Sequence, residues 1–350
     1  MKKYFTLIVA LPLLLLAQQA KAQQRDAEEA KTILYASPSV EGMGKGRGIV
    51  VGYERLPQFD IESESSNSTI GNGSGHVRRN NVFDARIILP VLNKPQNKLL
   101  FGVSYNLEEY DFTNVQSNVE PFESYSLYSN LHDKDLKSLG AQAAFLHSVN
   151  EQNFYLVRVK GELNGDYTNE NVSRNDYLKT SVDLLYGWKK SPNYVFGIGL
   201  QWGYTFGRRR IFPAAIYNRT FNDRWGIEAI VPANLRVRRN VSEKTLLYAG
   251  YKLDGASYNM YVKHEPLSSF DQLELRRTDL KLLLRLEQEI YDFLWFSVEG
   301  GYRHNFRYNI YDDIGTSGQN YIIKSDLAGT GYVGVELFVV PPRKFSEKNK

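Results

Sequence analysis

The sequence predicts an all-β protein, a closed antiparallel transmembrane β-barrel of about fourteen strands. Three observations predict it. Apolar and polar residues alternate one for one through most of the chain. The connections between the alternating stretches fall into a tight set and a long polar set. The composition is aromatic yet polar, with 24 Tyr, 18 Phe and a mean hydropathy of −0.41. A helical membrane protein needs apolar spans of about 20 residues, and none follows the first 22 positions. A barrel needs only an apolar exterior, because its backbone groups are satisfied between strands.

The N-terminus reads as an export signal. Met1-Lys2-Lys3 is followed by an apolar run, Tyr4–Ala17, and by Ala20-Lys21-Ala22. A basic start, a short apolar middle and an Ala-x-Ala exit predict a signal peptide over 1–22. The absence of cysteine at the cut rules out a lipoprotein. Residues 23–46 then form a periplasmic lead-in, in which Asp26–Lys31 suits one helical turn. The barrel spans 47–340 and a periplasmic tail 341–350, with Pro341-Pro342 ending the last strand. Export plus a barrel places the chain in a Gram-negative outer membrane. Its expected partners are membrane lipid and lipopolysaccharide, the barrel assembly machinery and a small solute. The chain has no cysteine, so its stability rests on hydrogen bonding and packing. Losing Lys2, Lys3 and Lys21 with the leader takes the net charge from +4 to +1. That gives no basic surface for nucleic acid.

The alternation is clearest over 279–290. Leu280, Leu282, Leu284, Leu286 and Ile290 fall on one face, and Asp279, Lys281, Arg285, Glu287 and Glu289 on the other. A helix, with a period of 3.6, would mix these sets. The same pattern runs through 83–89, 154–167, 178–188, 194–206, 294–308 and 332–339. Strands are expected at 47–57, 79–90, 98–112, 135–149, 153–167, 176–190, 194–207, 211–221, 224–231, 234–241, 245–262, 270–290, 293–311 and 320–340. Pro232 interrupts 224–241, and if those halves leave the wall the count is twelve. Tight periplasmic turns are expected at 93–97, 150–153, 191–193, 222–223, 242–244 and 291–292. Longer extracellular loops are expected at 58–76, 113–134, 169–175, 264–269 and 312–320. The first of these is polar and glycine-rich and reads as a mobile loop. Trp188, Tyr194, Trp225, Tyr291 and Trp295 lie beside the tight turns and suit an interfacial girdle.

Trp225-Gly-Ile-Glu-Ala-Ile-Val-Pro232, Leu235–Arg239, Thr245-Leu-Leu-Tyr-Ala-Gly250 and Gly255-Ala-Ser-Tyr258 resemble a family of outer-membrane barrels known as domain of unknown function 6268. The resemblance covers nearly all of the mature chain in layout and is sharp over some thirty residues. It implies an outer-membrane barrel and brings no activity or catalytic residue. Many such barrels end on an aromatic residue read by the assembly machinery, whereas here Phe338 is followed by a tail.

The inward face carries the candidate site. Its lumen-lining candidates are Arg86, Arg158, Lys160, Glu162, Lys179, Asp183, Lys281, Arg285, Glu287, Glu299, Arg303 and Arg307. The whole inward set is nearly balanced in charge, so it fits a polar path that passes or binds a solute. It fits equally an ion-paired plug that only holds the wall. Arg285, Arg303 and Arg307 would favour an anion unless Glu287 and Glu299 neutralise them. Two further readings stay open: a closed scaffold whose extracellular loops meet partners, and a rim hydrolase built on His132-Asp133, Asp135 or His264-Glu265. The hydrolase lacks a second matched carboxylate pair. His147 and Ser148 are sequence neighbours and so point to opposite faces of a strand. The five histidines lack ligand spacing, Asp312-Asp313 lacks a calcium-loop pattern, and Gly71–Gly75 lacks the Lys-Ser/Thr of a phosphate loop. No metal or cofactor is expected.

Overall fold

The computed structural model describes residues 35–132, 134–168, 174–312, 314 and 320–343. The expected signal peptide, Asp26–Lys31, Asp133, Asp313 and the end of the tail lie outside them. The strands are β1 (Ile49–Leu56), β2 (Phe59–Glu64), β3 (Gly73–Asn93), β4 (Asn97–Ser117), β5 (Leu136–Ser148), β6 (Asn153–Gly165), β7 (Leu178–Ser191) and β8 (Tyr194–Thr205). They continue as β9 (Arg208–Thr220), β10 (Trp225–Val231), β11 (Asn234–Ser242), β12 (Thr245–Tyr261), β13 (Gln272–Tyr291), β14 (Leu294–Tyr311), β15 (Ile323–Leu327) and β16 (Thr330–Val339). Each pairs antiparallel with its neighbour, and β1 closes the sheet by pairing with both β3 and β16.

Two wall strands are each broken once. Pro57-Gln58 separates β1 from β2, and Ala328-Gly329 separates β15 from β16. Proline removes a ladder donor. The breaks lie side by side, joined by Thr330 Oγ1 to the Gln58 carbonyl at 3.0 Å and by the Ala328 amide to the Asp60 carbonyl at 2.9 Å. A Cβ on Gly329 would lie 1.8 Å from the Tyr302 hydroxyl, so a larger residue at the second break would have to push that ring aside. Sixteen segments therefore make a closed wall of fourteen strands. The twelve-stranded alternative fails, because β10 and β11 are hydrogen-bonded between β9 and β12.

The outward positions make an apolar belt. Val51, Ile87, Val103, Val159, Leu184, Leu200, Ile211, Val237, Leu284, Val298 and Val335 are all exposed. A water-soluble sheet would cover such a surface, and only hydrocarbon solvates it without cost. The tight turns sit at the end where the described chain begins and ends. Of the aromatics expected in the girdle there, Trp225 and Tyr291 are exposed, but Trp295 is buried inward against Phe338.

The other end departs from expectation. β2 and β3 extend to Glu64 and back to Gly73, so the first loop is only 65–72 rather than 58–76. β4 continues to Ser117, and Ser126–His132 is a helix rather than part of an open loop. Above the membrane neither face of a strand meets lipid, so lipid-driven alternation no longer marks it. The glycine-rich stretch is not a free loop either. A Cβ on Gly73 would lie 2.4 Å from the Tyr125 ring, and one on Gly75 would lie 3.2 Å from the Tyr128 ring.

Residues 35–48 line the near mouth. Ala36 bonds Asn150, Glu41 bonds Pro192, and Gly48 bonds Val339, backbone to backbone at 2.8–3.1 Å. Asn218 and Thr220 donate to the carbonyls of Pro38 and Glu41. The segment passes from the β5–β6 turn to β16, along the inner rim.

Candidate functional site

Along β13 every second residue points inward, and Arg277, Asp279, Lys281, Leu283, Arg285 and Glu287 put charges of both signs, interrupted by one leucine, on one face. Arg285 donates to Glu287 at 2.9 Å, Glu299 at 3.2 Å, Ser297 at 2.7 Å, and also to Glu336. Arg47 bridges Glu287 and Glu336, and Lys252 reaches Glu299 at 2.7 Å. Lys281 meets Glu54 and, at 3.2 Å, Asp254. Arg303 lies 3.7 Å from Asp279, which also takes a bond from Asn305 at 2.7 Å. Arg285, Glu287, Glu299, Lys281, Asp279 and Arg303 are all buried. A buried charge is tolerable only when paired and hydrogen-bonded, and here each has a partner on another strand or two positions along its own.

The opposite wall is wetter. Arg86 donates to Asp84 at 2.9 Å, Lys160 lies 2.6 Å from Glu162, and Arg158 binds Asp183. None of these six is buried. Gln142 and Gln201 are registered opposite Lys160 and Asp183. The inward charges thus divide into a dry ladder centred on β13 and β14 and water-accessible charges on β3–β7, β11 and β12.

A roof closes the far end. Tyr125, Leu127, Tyr128 and Leu131, in and beside the helix, are buried among inward residues of the wall: Phe59, Ile61, Val77, Tyr110, Phe112, Tyr258, Leu273, Leu275, Tyr308 and Ile310. Tyr128 stacks on Phe112 at 5.0 Å and bonds Ser63 at 2.8 Å. Burial pushes the phenols of Tyr125 and Tyr128 above the usual tyrosine range, so both stay neutral. Beneath the rings lies a knot on Glu108. Its carboxylate accepts from Tyr110 at 2.6 Å, Asn80 at 3.3 Å and Tyr258 at 3.3 Å, and pairs with Arg277 at 3.3 Å. β4 thereby touches β12 and β13 across the lumen.

A side seam seals the wall. β10 and β11 have 7 and 9 residues and end well below the top of β12, which has 17. The exposed flank is covered by the tip of the β8–β9 hairpin and by β6–β7. Thr278 Oγ1 donates to the Phe206 carbonyl at 2.8 Å, and Asn259 is registered with Gly165. Gly207 has φ +73°, and a Cβ there would fall 2.3 Å from the Arg277 carbonyl, so only glycine fits. Lys179, on the inner face of β7, reaches Glu274 and Asn259 at 2.8 Å each, and Arg276 meets Glu274 at 2.7 Å. Glu274 and Arg276 occupy positions that alternation assigns to the outside of β13, yet they are buried.

Of the sequence candidates, Lys281, Arg285, Glu287, Glu299 and Arg303 meet in the dry ladder. Arg86, Arg158, Lys160, Glu162 and Asp183 line the wet wall, and Lys179 belongs to the seam. Arg307 is set apart: a bulge places it opposite Thr278 rather than Asp279, on the other face of the wall. Sequence reasoning missed Arg47, Glu54, Glu108 and Arg277. Glu108 was legible, since it continues the inward series Ser104, Asn106. His132 lies 4.0 Å from Asp111 at the rim. His147 bonds Asn97 at 2.7 Å, whereas Ser148 turns away to the Ala36 carbonyl at 2.7 Å. Among the described residues no group of three or more His, Asp or Glu is placed to hold a metal.

The family model described as "Domain of unknown function (DUF6268)" matches residues 111–314. No curated protein matches the sequence. Among solved structures, a Pseudomonas aeruginosa FadL homologue is similar at 9% identity, over 84% of this chain and 90% of that one, with a TM-score of 0.38. The outer membrane protease OmpT from Escherichia coli is similar at 10% identity, over 86% and 100%, with a TM-score of 0.33. The Pseudomonas putida toluene transporter TodX is similar at 9% identity, over 84% and 90%, with a TM-score of 0.35. At such scores no role in the lumen carries over from any of them.

Proposed function

We propose that this chain, which belongs to the DUF6268 family and takes no activity from it, is a gated outer-membrane barrel that binds and passes a small solute. One observation carries the reading. Beneath the sealed roof, the ion-paired charges of β3–β7 stay in contact with water, while those of β13 and β14 are paired and buried. Wetted charges lining the lumen are the groups through which a barrel selects what it passes, which supports a solute path over a dry plug. The roof and the Glu108 knot then form the closed gate. The leader supports export, and the apolar belt supports residence among membrane lipid and lipopolysaccharide after insertion by the assembly machinery.

Conductance of the purified full chain in a planar bilayer tests this. Rare, brief steps are expected from the wild type and frequent ones once the gate is weakened. A barrel silent in every variant contradicts passage. It would favour the second reading, a closed scaffold whose outer loops meet partners, which the packed roof supports. In that case trimming Ser65–Asn72 alters surface binding alone.

A further inference from the structure

The water-exposed charged side chains of the lumen are more often basic than acidic, and we propose that the chamber takes small oxyanions: carboxylates, phosphates or sulfonates. The inference rests on the passage reading above and names its solute class.

The pairs that these exposed bases make, on β3–β7 and on β11 and β12, are asymmetric. The Arg158 side chain is 42% exposed and its partner Asp183 16%. Lys160 is 36% exposed and Glu162 20%. Lys252 is 34% exposed against 8% for Glu299, and Arg236 30% against 7% for Glu228. Long basic arms carry their charge into the water, while short carboxylates stay against the wall. Arg86 at 41% beside Asp84 at 31% is nearly even, and Asp254 at 40% is the main exposed carboxylate. Five bases against two acids therefore reach the water to this degree.

The geometry of the leading pair adds to the count. Arg158 meets Asp183 through Nε, so its two terminal amines are not used in bonding Asp183. A guanidinium offered edge-on is the fork that an oxyanion accepts. Gln142, registered beside Lys160, is a neutral donor at the same level. The basic cluster expected at Arg285, Arg303 and Arg307 plays no part, because Arg285 and Arg303 are neutralised in the dry ladder and Arg307 lies on the other face.

The test is ion selectivity of the full chain in a planar bilayer under a KCl gradient, with Glu108→Ala as the gate-weakened background. The expected reversal potential reports chloride preferred over potassium at least several-fold, and added citrate reduces the current. Arg158→Glu with Lys160→Glu should invert the preference and abolish the citrate effect, while Arg158→Lys with Lys160→Arg retains both. If the reversed pair does not fold, Arg236→Gln with Lys252→Gln should weaken the preference instead. Steps without anion preference, or a preference unmoved by these changes, overturn the oxyanion reading and leave passage standing. No steps in either the wild type or the Glu108→Ala barrel overturn passage and this inference together.

Discussion

Glu108→Ala is the sharpest perturbation of the gate. The carboxylate takes hydrogen bonds from Tyr110, Tyr258 and Asn80 and pairs with Arg277. Without it, three polar groups lose an acceptor, and Arg277 keeps Asp279 at 3.0 Å and Asp254 at 3.7 Å. Removing one partner from a buried ion pair costs about 3–5 kcal/mol. The knot ties β4 to β12 and β13 across the lumen, so the cost falls on the closed state and not on the ladders of the wall. Closed-to-open ratios should then drop on the order of 10²- to 10⁴-fold. The assay is single-channel open probability, with heat-induced gel mobility as a measure of wall stability. Glu108→Gln keeps an acceptor and should fall between wild type and alanine. The reasoning is refuted if Glu108→Ala lowers the temperature of barrel unfolding yet leaves open probability unchanged, since the knot would then brace the wall and gate nothing.

Other consequences follow from the same contacts. Lys179→Met removes the charge that ties β7 to Glu274 across the seam; it should destabilise by roughly 3–5 kcal/mol and raise hydrogen exchange at the β8–β9 tip. Gly207→Val should displace that tip, visible as protease cleavage near Phe206, because its Cβ has no room beside the Arg277 carbonyl. Leu284→Arg, at an outward position 69% exposed, should cost roughly 2–4 kcal/mol in bilayers, measured by denaturant unfolding in lipid. Tyr125 and Tyr128 hold their protons more tightly in the folded roof than in the unfolded chain. Their contribution is therefore complete below about pH 10 and lost as pH rises further, so conductance should increase in strong alkali and be blunted in Tyr125→Phe with Tyr128→Phe.

The wall was legible because lipid imposes a rule on every second residue. Leu280-Lys281-Leu282 shows it, and so do the closely placed strand bounds of β6, β8 and β13. The roof was hidden because the rule changes phase within one strand. In Leu273-Glu274-Leu275-Arg276 the apolar residues take the inward positions, yet five residues on, at Leu280 and Leu282, they take the outward ones. The sequence displays the phase change but not its cause, which is an apolar plug inside and a protein-covered seam outside. That plug draws on a seven-residue helix whose partners lie far away in the chain, a relation no local pattern encodes. Ser63–Gly75 looked mobile on composition, yet Gly73 and Gly75 are seats for Tyr125 and Tyr128. Charge partners were only half legible. Alternation put Arg285 and Glu299 on one face, but that Arg47 from the lead-in joins them depends on the path of residues 35–48 along the mouth.

The chain has no cysteine, so single cysteines report unambiguously on neighbouring positions of β6. In intact bilayers, Lys160→Cys should react with a charged, impermeant thiol reagent added at the tight-turn side and react many-fold more slowly from the roof side. Val159→Cys should be unreactive from both and be quenched by brominated lipid once labelled in detergent. Equal reaction of Lys160→Cys from both sides, or any reaction of Val159→Cys with the charged reagent, would contradict a lipid-embedded barrel with a wet chamber beneath a closed roof.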